Sequence, residues 1–144
     1  MSQLFRNYGI QFRYPDDWTL HEEEGEEQVT LTVSRDPACF WSLTLLADRP
    51  DPAEVLDEAI DAYREEYPEL DVSDAKATLA RRPAVAIDLE FFCHDLCNTA
   101  RLRAIQTPHH TLFLMCQMTD HEEGELDTAF EQMNKSLEVD LPGG

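Results

Sequence analysis

The sequence predicts an α+β fold built on a mainly antiparallel sheet, and three observations carry that prediction. Strand-like alternation fills two blocks, Ile10 to Leu46 and Val85 to Cys116. A helical stripe from Leu56 to Tyr67 separates the blocks, and a second, from Leu126 to Leu137, follows them. Strands grouped in blocks, with helices set apart, indicate α+β rather than a doubly wound parallel sheet. The 144 residues fit one domain, 1–144. A chain of that size buries about two-thirds of its unfolded surface without help from a metal or a disulfide.

The elements follow in order. Ile10, Phe12 and Tyr14 alternate with Gln11 and Arg13, the pattern of a half-buried strand. Pro15-Asp16-Asp17 is a turn, and Trp18-Thr19-Leu20 begins a second short strand. Glu22 to Glu27, with Gly25 among them, reads as a solvated acidic loop. Val29, Leu31 and Val33 alternate with Thr30, Thr32 and Ser34, and 39–46 continues the alternation beyond the Asp36-Pro37 break. These two runs read as a hairpin. Asp51-Pro52-Ala53-Glu54 is a helix start, with a cap, a first-position proline and an acidic first turn. Leu56, Ala59, Ile60, Tyr63 and Tyr67 form its apolar stripe, and Pro68 ends it. The opposite face carries Asp57, Glu58, Asp61, Glu65 and Glu66.

Residues 71–79 do not hold one phase and read as a strand with a bulge or an irregular start. Val85, Ile87, Leu89 and Phe91 give a clear strand. A four-residue turn at 94–97 would return the chain along Asn98 to Gln106. That register sets Glu90 opposite Arg101 and Asp88 opposite Arg103, two complementary cross-strand pairs. Leu112 to Cys116 is apolar on both phases, as a central strand covered on both sides should be. Thr119-Asp120-His121-Glu122-Glu123 opens the last helix, whose stripe is Leu126, Ala129, Phe130, Met133 and Leu137.

Charge narrows the function. Eleven Lys and Arg against thirty Asp and Glu give a net charge of −19. A field of that sign repels nucleic acid and anionic membrane surfaces, and favours solubility or a basic partner. No segment reads as a signal peptide or a membrane span, so a cytoplasmic protein is expected. The four cysteines, Cys39, Cys93, Cys97 and Cys116, are then expected to be reduced.

Motifs for chemistry are sparse. The five glycines form no phosphate-binding loop, and no nucleophile elbow is present. The one suggestive cluster is Cys93-His94-Asp95-Leu96-Cys97. It offers at most part of a zinc site, because His109 and His110 sit about 30 Å away along the next strand. Neither a metal nor any other cofactor is expected. The surface residues singled out are Phe92, His94, Asp95 and Cys97 at that turn, and Asp57 and Asp61 on the first helix.

The Tyr8 to Leu20 pattern, with its aromatic-x-Tyr-Pro-x-x-Trp core, resembles the start of the PsbP/Mog1/DcrB-like domains. So do the helix after the first strand set, the long hairpin over 84–106, and the closing helix with Phe130, Met133, Ser136 and Leu137. The resemblance covers nearly the whole chain and implies an α/β/α sandwich, an antiparallel sheet with helices on both sides. Members of the family include a Ran-binding nuclear import factor, an extrinsic photosystem II subunit and small bacterial proteins. Some of the bacterial proteins are chaperones for transmembrane segments of type VI secretion effectors. None is chiefly an enzyme, and no Ran-binding motif carries over to this chain.

Three readings of function follow. The first is a non-enzymatic protein-interaction module whose partner is basic or hydrophobic. The second is a homodimeric chaperone of hydrophobic segments, which needs an apolar groove. The third is a small-molecule or metal-binding protein.

Overall fold

The computed structural model describes residues 2–93, 95–120 and 123–140. The elements run β1 (Ser2–Asn7), β2 (Ile10–Pro15), β3 (Thr19–Gly25), β4 (Gln28–Asp36), β5 (Cys39–Leu46), α1 (Pro52–Glu66), β6 (Asp71–Leu79), β7 (Arg82–Cys93), β8 (Leu96–Gln106), β9 (Thr111–Thr119) and α2 (Glu123–Ser136). β1 and β2 form a separate hairpin. The other seven strands make one sheet in the order β3-β4-β5-β9-β8-β7-β6. Every neighbouring pair in it is antiparallel.

This order explains the sequence patterns. β5 lies in one half of the sheet and β6 at the far edge, so α1 must carry the chain across β9, β8 and β7. The Asp51 carboxylate caps that crossing by accepting from the Ala53 N–H at 3.1 Å. β9 then returns to the centre of the sheet. Its Leu112, Leu114, Cys116 and Met118 enter a core with Leu126, Phe130, Met133 and Leu137 of α2. Its Phe113 and Met115 pack instead on the cluster that holds Leu56 and Ile60 of α1, with Leu89, Phe91 and Leu102. Period-two alternation sends neighbouring side chains of one strand into different clusters, so β9 is apolar on both phases.

The β1–β2 hairpin joins the α2 cluster. Ile10 and Phe12 are buried there, with Phe12 4.7 Å from the Trp41 ring between centroids. Bonds between Gln11 and Glu138 (2.9–3.0 Å) hold it to the segment after α2. Trp41 has no exposed surface, and its Nε1–H donates to Asn134 Oδ1 at 2.7 Å. Trp18 sits edge-on to Phe130 at 5.8 Å. Trp41 anchors the core, and Trp18 packs half-buried against it.

The structure corrects several expectations. A strand precedes Ile10: β1 pairs along its whole length with β2 through the Tyr8-Gly9 turn, where both φ angles are positive (56° and 79°). The acidic stretch is mostly strand, since Thr19–Gly25 pairs residue for residue with β4 and only Glu26 and Glu27 form the turn. Pairing with Leu31, Thr30 and Val29 overrides the weak strand propensity of Glu22, Glu23 and Glu24. Placing those carboxylates on an edge strand also discourages pairing with another chain. β6 is regular and keeps one register throughout. β9 extends to Thr119, so Thr119 ends a strand rather than opening α2. His121 and Glu122, part of the expected helix start, lie outside the described residues.

The β7–β8 turn differs most. Cys93 pairs with Leu96, which leaves two residues between the strands instead of four. One of them, Asp95, has φ 62°, the left-handed geometry that tight hairpins favour. The register therefore shifts by two: Asp88 faces Arg101, and Glu90 faces Thr99. An even shift keeps every side chain on its expected face. Arg103 still meets Asp88, but diagonally, at 2.8 Å. Arg101 instead pairs with Asp127 on α2.

Candidate functional site

The residues singled out in the sequence occupy two places. Phe92 lies at the end of β7 with its side chain in the open, 70% exposed. Leu96, across the hairpin, is 37% exposed. A shallow depression of about 360 Å³, formed by Glu66, Tyr67, Pro68 and Glu69, adjoins Phe92. The next positions on the same face are acidic, and β6 sets Asp71 directly opposite Glu90. Like charges facing each other in a sheet destabilise it modestly. The end of β7 is thus an apolar projection beside several carboxylates, Asp95 included.

Cys97 pairs with Phe92 and shares its face, whereas Cys93 pairs with Leu96 on the other. Cys93 packs against the α1 cluster. Since the strand alternation turns the two thiols to opposite faces, Cys93 and Cys97 do not converge on one ion or one disulfide. His94 lies outside the described residues. Among the described residues, no three His, Cys, Asp or Glu side chains converge as a metal site would need. Asp57 and Asp61 are exposed on α1, on the side away from Leu56 and Ile60. They are not brought together with the Phe92 end by any bond among the described residues.

A third place was not read from the sequence. α2 packs on β2 and β9 and leaves the outer half of its side of the sheet open. There a cleft of about 490 Å³ runs between α2 and β6. Arg101, Arg103, Arg81 and Lys135 line it, four of the chain's eleven cations, with Glu131 the one carboxylate in its wall; Lys76 borders it from a strand position on the α1 face. They come from β8, α2, β6 and the β6–β7 turn, so no run of the sequence reveals them. The alternation Arg101-Leu102-Arg103 on a strand flanked by Ala100 and Ala104 was the available signal. Read as cross-strand partners, those arginines suggested register and nothing more. Directly paired alanines, Ala75 with Ala86 and Ala77 with Ala84, keep the sheet low beside Arg103.

The titratable groups around the cleft are held in defined states. Burial pushes the Cys116 thiol up to about 12, although Arg103 and Arg101 pull it the other way. A thiol in that state is no nucleophile. Burial lowers the Arg101 guanidinium, but the hydrogen bond and charge of Asp127 more than reverse this and raise it.

Comparison with known structures identifies the fold. A crystal structure of LpqN from Mycobacterium tuberculosis, described as involved in cell envelope biogenesis, matches with a TM-score of 0.58 at 20% identity. The match covers 96% of this chain and 90% of that one. The solution structure of cyanobacterial PsbP (CyanoP) from Synechocystis sp. PCC 6803 matches with a TM-score of 0.58 at 12% identity, over 96% and 92% of the two chains. A protein from Bacteroides thetaiotaomicron also matches at 0.58 and 15% identity, where this chain spans 47% of the other. The fold is therefore PsbP/Mog1-like. No protein-family profile matches the chain, and no curated protein does. Among the described residues, no helix is long and apolar enough to cross a membrane.

Proposed function

We propose that this chain is a non-enzymatic binding module that contacts another protein through the Phe92 end of β7. The observation that carries this reading is the exposure of Phe92, 70%, in a setting of carboxylates. A partner that buries it would bring an apolar socket with a basic rim. Lys or Arg on that rim would relieve the Asp71–Glu90 opposition. A fully buried aromatic at the centre of a contact is the usual form of a binding hot spot. The PsbP-like fold supports the non-catalytic half of the reading, since LpqN, which shares it, is described by a part in cell envelope biogenesis and not by a reaction. We read the layering as α/β/α, on the grounds that α1 and α2 feed the two clusters reached by opposite phases of β9. A reducing, cytoplasmic setting agrees with four free cysteines. The envelope role belongs to LpqN.

The test is site-specific photo-crosslinking in producing cells, with a photoreactive phenylalanine at position 92 and, as control, at the exposed Leu4 of β1. A discrete adduct from position 92, absent from position 4 and suppressed by Glu90→Lys, is expected. Identical adducts from both positions would overturn the proposal. A crosslink to a second copy of this chain would assign the homodimer as the partner. The chaperone alternative receives less support, since the cleft beside α2 is cationic rather than apolar.

A further inference from the structure

We infer that the cleft between α2 and β6 is a binding site for a small molecule carrying an oxyanion group, phosphate or carboxylate. The site is separate from the Phe92 end. β7 runs from Arg82 to Cys93, so the β6–β7 turn and Phe92 stand about 30 Å or more apart at strand rise.

Four observations carry the inference. The first is charge distribution. In a chain with thirty carboxylates, four of eleven cations, Arg81, Arg101, Arg103 and Lys135, gather at this one concavity, where Glu131 is the one carboxylate in the wall and Asp127 and Asp88 pair with Arg101 and Arg103 from beside it. An excess of one sign in a concavity concentrates the field and raises the local concentration of the opposite ion. Its volume, about 490 Å³, is that of a small-ligand site.

The second is unused hydrogen-bonding capacity. Arg103 is only 13% exposed. Its Nη1 donates to Asp88 Oδ1 (2.8 Å), Ile87 O (3.2 Å) and Leu102 O (3.0 Å). Its Nη2 and Nε have no acceptor among the described residues. The guanidinium is thus held in place by one nitrogen and keeps the other donors for a ligand. An oxyanion suits such a planar fork.

The third is the orientation of Asn134. The Trp41 indole can only donate, and it donates to Asn134 Oδ1 at 2.7 Å. The Nδ2 end of the amide is therefore the one left for the cleft, which Asn134 also lines. Its two N–H donors have no acceptor among the described residues.

The fourth is backbone strain. The β6–β7 turn places Ala80 at φ 50° and Arg81 at φ 65°. Left-handed geometry at both positions is what Asn-Gly supplies cheaply, and the Tyr8-Gly9 turn has its glycine. Arg81 occupies the unfavourable position and lines the cleft. Strain held where a charged side chain meets a cavity points to a role for that side chain. Lys135 and Arg81 form no ion pair with a described carboxylate, so both remain available. Lys76 is aligned with Val85 and Ala104 on the α1 side of the sheet, so its charge is not counted toward the cleft.

The strain also supplies a clean test. Arg81→Gly should raise the melting temperature while weakening anion binding, a pairing that damage to the fold cannot produce. Nitrogen–proton NMR titrations of the whole chain with inorganic phosphate and with citrate, each against chloride at equal ionic strength, read the site directly. Saturable shifts are expected at the Arg103 Nε–H and the Asn134 side-chain amide with at least one of the two anions. The tighter of the two identifies the headgroup chemistry. Arg81→Gly and Lys135→Gln should each weaken that binding by about three- to tenfold, the range of one partly exposed charge-assisted contact. Shifts that track chloride without saturating would overturn the inference. So would saturable binding unchanged in both variants. Failure here leaves the Phe92 crosslinking result untouched, and the converse holds.

Discussion

Trp41 joins the core to the cleft, and truncating it tests how the two are coupled. Trp41→Phe removes one ring of the indole from a site with no exposed surface, 4.7 Å from the Phe12 ring. At about 24 cal/mol per Å³ of cavity, the lost volume costs on the order of 1 kcal/mol. The substitution also deletes the Nε1–H bond to Asn134 Oδ1. That bond is worth about 1 kcal/mol, and leaving a part-buried acceptor unpaired adds to the loss. The sum is about 2–3 kcal/mol, or roughly 6–12 °C in melting temperature for a chain of this size. Urea unfolding of wild type, Trp41→Phe, Asn134→Ala and the double variant gives the pairwise coupling. About 1 kcal/mol is expected. A coupling below about 0.3 kcal/mol would show that the indole does not hold the amide, and the assignment of Asn134 Nδ2 to the cleft would fall with it.

Three further outcomes are expected. The Tyr63 phenol donates to Gln117 Oε1 at 2.8 Å, and burial raises its pKa, with the charges of Tyr67 and Glu66 adding to the shift. Its neutral form is favoured in the fold, so its contribution is whole below about pH 10, where the unfolded phenol titrates, and is lost as pH rises above that. Tyr63→Phe should therefore flatten the alkaline limb of the stability profile measured by urea unfolding between pH 8 and 11. Cys39 and Cys116 are buried with raised thiol pKa values, Cys116 at about 12, so mass spectrometry after brief alkylation should find them unmodified while Cys97 reacts. Modification of Cys116 at the rate of Cys97 would contradict the packing of β9. Arg81→Gly should stabilise the fold by about 1 kcal/mol, the cost of a left-handed non-glycine residue less the extra entropy of glycine. Thermal unfolding checks the sign.

Residues with a strong period were legible in the sequence. β2, β4, β5, β7, α1 and the stripe of α2 all carry an apolar face that repeats at 2.0 or 3.6 residues, and each was placed from that repeat alone. β3 was not, because Glu22 to Glu24 owe their strand geometry to β4 rather than to their own propensity. β1 was missed for a similar reason: only Phe5 of its six residues is even half-buried, so no alternation marks it. The register error at 94–97 came from pairing charges. Arg103 is long enough to reach Asp88 diagonally, so complementary charge is consistent with two registers and selects neither. Phe92 was found because its phase is outward at a strand end. The cationic cleft stayed hidden because Arg81, Arg101, Arg103 and Lys135 meet only after β6–β8 and α2 are assembled.

The central claim is that the protein binds another through Phe92, and calorimetry on the partner recovered by crosslinking tests it most directly. Phe92→Ala should weaken that affinity by about thirtyfold or more, the loss typical of a hot-spot aromatic of about 2 kcal/mol. Lys135→Gln, in the remote cleft, should leave it within about twofold, as distant independent sites do. Equal affinities for wild type and Phe92→Ala would contradict the account.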